Sequence, residues 1–176
     1  MRATTGMLVA GAALAATLAS ACGTTGTAGK TSGDSAEDKA GEDSPAAVKT
    51  GRPAEDGKFT FVVTGVSTRT DRIGDEYAGK DPQGKFVLVK VKVTNHGKEA
   101  QTFFGSDQKL LASDKEYSAD DEAAVYLPSS RSLYEQINPG NKVKGTVVFD
   151  VPEDVKPESI ELHDSAFSNG VRVSLK

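Results

Sequence analysis

The stretch KFVLVKVKVTN, Lys85–Asn95, alternates along its whole length: Val87, Val89, Val91 and Val93 share one side, and Lys90, Lys92 and Thr94 share the other. A period of two sends successive side chains to opposite sides of an extended chain, so this is a strand with one buried and one solvated face. Asn95, His96 and Gly97 then end it in a turn.

The same period recurs on both sides of this strand. Upstream, KFTFVVTGV sets Phe59, Phe61 and Val63 against Thr60, Val62 and Thr64, and Gly65 marks a bulge or a strand end. Downstream, AQTFFG and QKLLAS read as short strands, with SDKE at residues 113–116 a tight turn. NPGN at 138–141 is a strong turn signal, and KVKGTVVFDV after it sets Val143, Val147 and Phe149 against Lys142, Lys144 and Asp150. Two prolines break the chain in VPEDVKPES, and IELHD and VRVSLK are the last alternating runs. About seven to nine short strands, with turn signals every ten residues or so and almost no helical period, predict an all-β domain. Its architecture is an Ig-like antiparallel β-sandwich over residues 57–176. The Cys–Trp–Cys pattern of antibody domains is absent, so the likeness to Ig domains is architectural.

The first 21 residues have a different character. Arg2 is followed by an uncharged apolar run over residues 7–19 and by the small residues Ala19, Ser20 and Ala21, the three-part layout of an export signal. The run is short for a permanent membrane span. Cys22, the only cysteine in the chain, follows directly. The run LASAC resembles the lipobox of bacterial lipoproteins, which implies cleavage between Ala21 and Cys22 and a lipid on the Cys22 thiol. Ala19-Ser20-Ala21 also fits an ordinary A-x-A cleavage site, and the alternative outcome is a released, unlipidated protein. Residues 22–56, rich in Gly, Ser, Thr, Ala, Asp and Glu, hold almost no large apolar side chain and are expected to form a disordered linker. Such a coil spans about 30–35 Å, enough to hold the domain near a membrane without fixing its orientation.

Within that linker Gly29-Lys30-Thr31 imitates a phosphate-binding loop, but Thr24 stands where the pattern requires its first glycine. No strand leads in and no helix leads out, so no nucleotide site is expected. The 176 residues carry 21 Lys and Arg against 25 Asp and Glu with both signs interspersed, which gives no basic face for nucleic acid. A single cysteine allows neither an internal disulfide nor a Cys-based zinc site.

The runs DGKFTFVVTGV, the segment from GKFVLVKVKVTN to VYL, INPGNKVKGTVVFDVP and IELHDSAFSNGVRVSLK resemble the Ig-like module called domain of unknown function 4352. NPG…G…VFDVP is its most specific element. The resemblance implies a β-sandwich similar to small secreted mycobacterial antigens, in lipoproteins and secreted proteins of Gram-positive bacteria, actinobacteria especially. It implies no ligand and no catalytic residue.

The residues themselves offer few chemical candidates. His163 lies beside Asp164 and Ser165, yet neighbours on a strand point to opposite sides and no G-x-S-x-G is present, so catalytic residues and an exported hydrolase are not expected. Asp114, Glu116, Asp120, Asp121 and Glu122, with Asp107 nearby, are weak calcium candidates against a plain acidic loop; a calcium-dependent enzyme is the low alternative. No cofactor is expected. Of Phe103 and Phe104 one must face outward, and with Tyr117, Tyr126 and Tyr134 it could mark a partner surface. The polar stretch 71–84 is the expected functional loop. These readings describe a monomeric, non-catalytic module on the outer face of the cell membrane. It is held there by lipid and meets an unidentified envelope protein or a cell-wall partner.

Overall fold

The computed structural model describes residues 47–134 and 136–176. The export signal, Cys22, the phosphate-loop imitation and the linker up to residue 46 lie outside the described residues, as does the side chain of Tyr134. Among the described residues thirteen strands form in chain order: β1 (Val48–Lys49), β2 (Pro53–Asp56), β3 (Phe59–Arg69), β4 (Ile73–Gly74), β5 (Gly79–Lys80), β6 (Lys85–Asn95) and β7 (Gln101–Thr102), then β8 (Lys109–Ala112), β9 (Lys115–Ser118), β10 (Gln136–Ile137), β11 (Lys142–Val151), β12 (Ser159–Leu162) and β13 (Val171–Ser174). Only β2, β3, β6, β8, β9, β11, β12 and β13 reach four residues, which agrees with the strand count expected from the alternation.

Two sheets, ordered β11-β6-β3-β2 and β1-β13-β12-β8-β9, form the sandwich, and β10-β7 and β4-β5 are small two-stranded ladders. All pairings are antiparallel except β1 with β13. The expected linker therefore ends sooner than residue 56. Val48 pairs with Val173, and residues 53–56 pair along β3, because backbone pairing and the burial of Ala54 outweigh the weak apolar content of this segment.

β6 holds the first sheet together, because it is paired along its length on both sides. Register turns its alternation into rows across three strands: Phe61–Val93–Val143, Val63–Val91–Gly145, Val66–Val89–Val147 and Thr68–Val87–Phe149. The bulge anticipated at Gly65 falls between Val63 and Gly65; past it the even-numbered residues of β3 join the valine rows. In the row that ends at Gly145 the missing side chain leaves a slot, and Leu133, itself buried, fills it. Phe59, Phe61 and Phe103 meet edge to face below these rows, with ring centres 5.8–6.4 Å apart.

The other face of β6 is not uniformly solvated. Lys90 is exposed, but Phe86 is buried in a second, smaller cluster with Ile73, Val148, Ala123 and Ala124. The two alanines come from a short helix, α1 (Asp121–Val125), where a carboxylate-rich loop was expected. Asp120 caps it by accepting the Ala123 N–H at 2.9 Å. A capping Asp followed by two acidic residues is a helix-start signal that the strand pattern around it obscured. A 3-10 segment, Pro128–Tyr134, follows and runs along β11, where the buried Ser130 hydroxyl donates to the Thr146 carbonyl. Among the described residues no helix is long and apolar enough to cross a membrane.

At the end of β6, Asn95 is fully buried; its amide donates to the Glu99 and Ile137 carbonyls and its oxygen accepts the Gly97 N–H. A β-strand residue thus also builds the turn that follows.

The slot at Gly145 gives a direct test. Gly145→Ala should destabilise the domain by about 1–3 kcal/mol through overpacking against Leu133. Leu133→Ala should cost about 2–4 kcal/mol through the cavity it leaves. The double variant should cost less than the sum, since each change relieves the other; additive urea-unfolding energies would show that the two residues do not share the slot.

Candidate functional site

Phe103 and Phe104 part as strand geometry requires. Phe103 is fully buried on the core rings, and Phe104 is left 54% exposed. Across from it the loop after β12 carries Phe167, which is 99% exposed. Both rings line an open groove of about 580 Å³, shared with Lys58, Gln101, Asp107 and Asp164. Large apolar rings left in contact with water are uncommon on a folded domain, and here one half-exposed and one fully exposed ring share a groove.

The loops that carry these rings are braced from below. Gln108 is fully buried, and its amide donates to the Phe104 carbonyl at 2.8 Å and to the His163 carbonyl at 3.2 Å. Its oxygen accepts the His163 N–H at 2.8 Å. One glutamine side chain thereby fixes the two ring-bearing loops to each other. The Asp164 carboxylate accepts the Lys58 backbone N–H at 2.7 Å and pairs with the Lys58 ammonium at 3.2 Å. Its own N–H donates to Asp56. Gly57 permits this approach: it has a φ of +54°, and a Cβ there would run into the Asp164 carboxylate. Burial pushes the Asp164 carboxyl up, but the Lys58 N–H and ammonium outweigh burial and hold it below its ordinary range. The Ser168 N–H then closes a turn on the Ser165 carbonyl and leaves Phe167 at its tip.

The other sequence candidates are distributed over the domain. Asp120 and Glu122 do come together, but on the Lys80 ammonium, at 2.9 and 2.8 Å. Glu122 first and Asp120 second raise the affinity of that lysine for its proton, so a cation of the protein's own stands between these two carboxylates. Asp121 points toward Gly105, and Asp114 sits at the tip of the β8–β9 turn with a φ of +60°. Glu116 pairs with Lys109. Among the described residues no group of three His, Cys, Asp or Glu side chains could hold a metal ion.

His163 does meet an acid and a hydroxyl. Its Nε2 lies 3.1 Å from Glu161, and its Nδ1 lies 3.3 Å from the Ser168 carbonyl and 3.4 Å from the Ser168 hydroxyl. That hydroxyl donates to the Ser165 carbonyl, and Arg172 holds the second Glu161 oxygen. The ring packs against Gly170 and lines neither the aromatic groove nor any other described cavity. Its sequence neighbours Asp164 and Ser165 do not converge on the ring, in keeping with strand geometry; the side chains that meet it are those of Glu161 and Ser168. His96, exposed in the turn after β6, bridges Thr60 and the Gly57 carbonyl.

The 71–84 stretch is a braced hairpin. Asp75 accepts the Ala78 and Tyr77 N–H groups, which hold its carboxyl below the usual value, and Arg72 reaches the Asp75 and Gly79 carbonyls. Tyr77 stands 92% exposed at the tip. Tyr117 and Tyr126 are half-buried, and neither lines the groove of Phe104 and Phe167.

Sequence reasoning flagged Phe104 but missed Phe167 and the Gln108 brace. Phe167 sits in SAFSNG, where no alternation marks it, and a buried glutamine just ahead of a strand looks like any polar residue until its partners are known.

Residues 48–173 match the family model described as "Domain of unknown function (DUF4352)". Among solved structures, the secreted protein MPT63 of Mycobacterium tuberculosis superposes with a TM-score of 0.57 at 15% identity, over 74% of this chain and 97% of its own. The yjhA protein of Bacillus subtilis gives 0.54 at 14% identity, over 73% and 99%. A conserved hypothetical protein of Bacillus anthracis gives 0.52 at 16%, over 70% and 94%. No curated protein matches the chain. At these identities the likeness is one of fold.

Asp164 supplies an acid-sensitive brace. Its folded value is depressed, so its contribution is fully present above the unfolded aspartate value of about 3.9 and is lost as pH falls through the lower folded value. Asp164→Asn should lower stability at neutral pH and flatten the dependence below about pH 4, measured by thermal melts across a pH series. Gln108→Ala should cost about 1–3 kcal/mol by leaving the His163 N–H unpaired.

Proposed function

Because the chain belongs to the DUF4352 family, we propose that it is an exported β-sandwich module that binds an envelope component without catalysis, through the groove between Phe104 and Phe167. Its Cys22 carries the lipid that holds it on the outer face of the membrane. The observation that carries this reading is the pair of exposed rings on one groove, set in place by the buried Gln108. A surface that displays two large apolar rings and is braced by hydrogen bonds and an ion pair suits recognition, because the partner then loses little freedom to a mobile receptor.

The remaining parts fit around it. LASAC supplies the cleavage site and the anchor, and the segment between Cys22 and β1 supplies reach. The absence of a catalytic step rests on His163. Its acid and hydroxyl neighbours are bound up in a network of carbonyl and guanidinium contacts. A second reading, release into the medium without lipid, draws on Ala19-Ser20-Ala21 alone.

Expression of the wild-type chain and two variants in a Gram-positive host separates these readings. Cys22→Ala should shift the protein from the membrane fraction to the medium and abolish fatty-acid labelling; a wild-type chain already in the medium would establish the released form. Phe104→Ala with Phe167→Ala should leave the melting temperature nearly unchanged and reduce crosslinked envelope partners on intact cells by on the order of tenfold, as losing two hot-spot rings would. Equal capture by this double variant and wild type would overturn the groove assignment.

A further inference from the structure

The sandwich has four lateral edges besides its groove, and three are protected. The edge of β11 is covered by the 128–134 segment, with Ser130 on the Thr146 carbonyl, and the Asp120 N–H occupies the Val148 carbonyl. β9 carries Lys115 and Glu116 on an exposed four-residue edge, and β1 has two residues. Short, charged or covered edges resist pairing with another chain.

The fourth edge differs along part of its length. β2 pairs with β3 only from Phe59 to Val62, and the Gly51 N–H takes the Val63 carbonyl. Beyond that point β3 runs on to Arg69 with β6 on one side, and among the described residues nothing pairs with its other side. This open edge reads Thr64-Gly65-Val66-Ser67-Thr68, without a charge and without proline. Val66 lies on the core side, in register with buried Val89, and yet is 40% exposed because no strand stands beyond it.

The five residues read the same way in both directions: threonine, small, valine, small, threonine. We propose that this edge pairs with the same edge of a second copy of the chain, antiparallel about a two-fold axis through Val66. That register sets Val66 on Val66, Gly65 on Ser67 and Thr64 on Thr68. Threonine pairs and β-branched pairs are favourable cross-strand neighbours, and no like charges meet. A two-fold interface requires a self-complementary patch, which a chemically palindromic strand provides and a foreign peptide would not need. The two four-stranded sheets become one continuous sheet of eight strands, and Val66 is covered. Five residues a side bury less than a standard interface, so the dimer is weak in dilute solution and forms where the protein is crowded. This departs from the monomer expected from sequence and is independent of the groove.

The test uses the full chain with Cys22→Ala, so that one introduced thiol remains. Under mild oxidation Val66→Cys should give on the order of tenfold more disulfide dimer than Phe167→Cys, a fully exposed control, because the two-fold axis holds the thiols together. Adding Thr64→Lys and Thr68→Lys should reduce the dimer to the control level, because lysines then oppose each other across the axis. Thr64→Lys with Thr68→Glu should restore it, because each lysine now faces a glutamate. Both threonines are exposed, so these variants fold, and melting curves check this. Equal crosslinking at positions 66 and 167, or identical behaviour of the two charge variants, would overturn the proposal.

Discussion

The cross-strand rows through β6 are the interaction on which the rest of the structure depends. Val87, Val89, Val91 and Val93 are each in register with a neighbour on both sides, and all four are essentially excluded from solvent. With side chains alternating by twos, slipping either neighbour by one residue would expose its apolar set, so the rows fix the register of β3 and β11 together. Once that register is set, the second sheet must close over the rows, and the core phenylalanines Phe59, Phe61, Phe103 and Phe149 fill the space between. Dispersion and apolar burial do this without a disulfide, in a chain whose only cysteine lies outside the domain.

Two departures from perfect strand regularity give the molecule its features. The missing side chain at Gly145 admits Leu133, which draws the 128–134 segment along β11 and protects that edge. The bulge at Val63–Gly65 lets β3 continue past its partner β2, which leaves five uncharged residues with an open side. One irregularity closes an edge and the other opens one. The polar residues inside the fold divide similarly: Asn95 builds a turn, whereas Gln108 ties together two loops far apart in sequence.

Much of the sandwich was legible in the sequence because alternation is a local property that survives into the structure. The β6 face and the division of Phe103 from Phe104 follow from the period of two, and Gly65 marks the bulge; the turn expected at 113–116 is confined to 113–114, because Lys115 and Glu116 already pair in β9. The groove was half legible. Phe104 announced itself as the odd ring of a pair, but Phe167 lies in an irregular loop, where exposure depends on a turn closed by Ser165 and Ser168. The acidic run at 114–122 misled for the opposite reason. Its residues are neighbours in sequence, but a hairpin tip, a helix cap and a lysine from β5 send them to different places.

By itself the sequence determined the secondary structure class and the faces of the long strands, because both are written in the spacing of adjacent residues. Only the tertiary structure decided which side chains meet: that His163 contacts Glu161 and Ser168, that Lys80 occupies the Asp120–Glu122 pair, and that Phe104 and Phe167 share a groove. It also decided which stretch of β3 is left without a neighbour. Those outcomes depend on where β2 stops and how loops cross between sheets, and contacts between residues far apart in the chain leave no periodic trace in it.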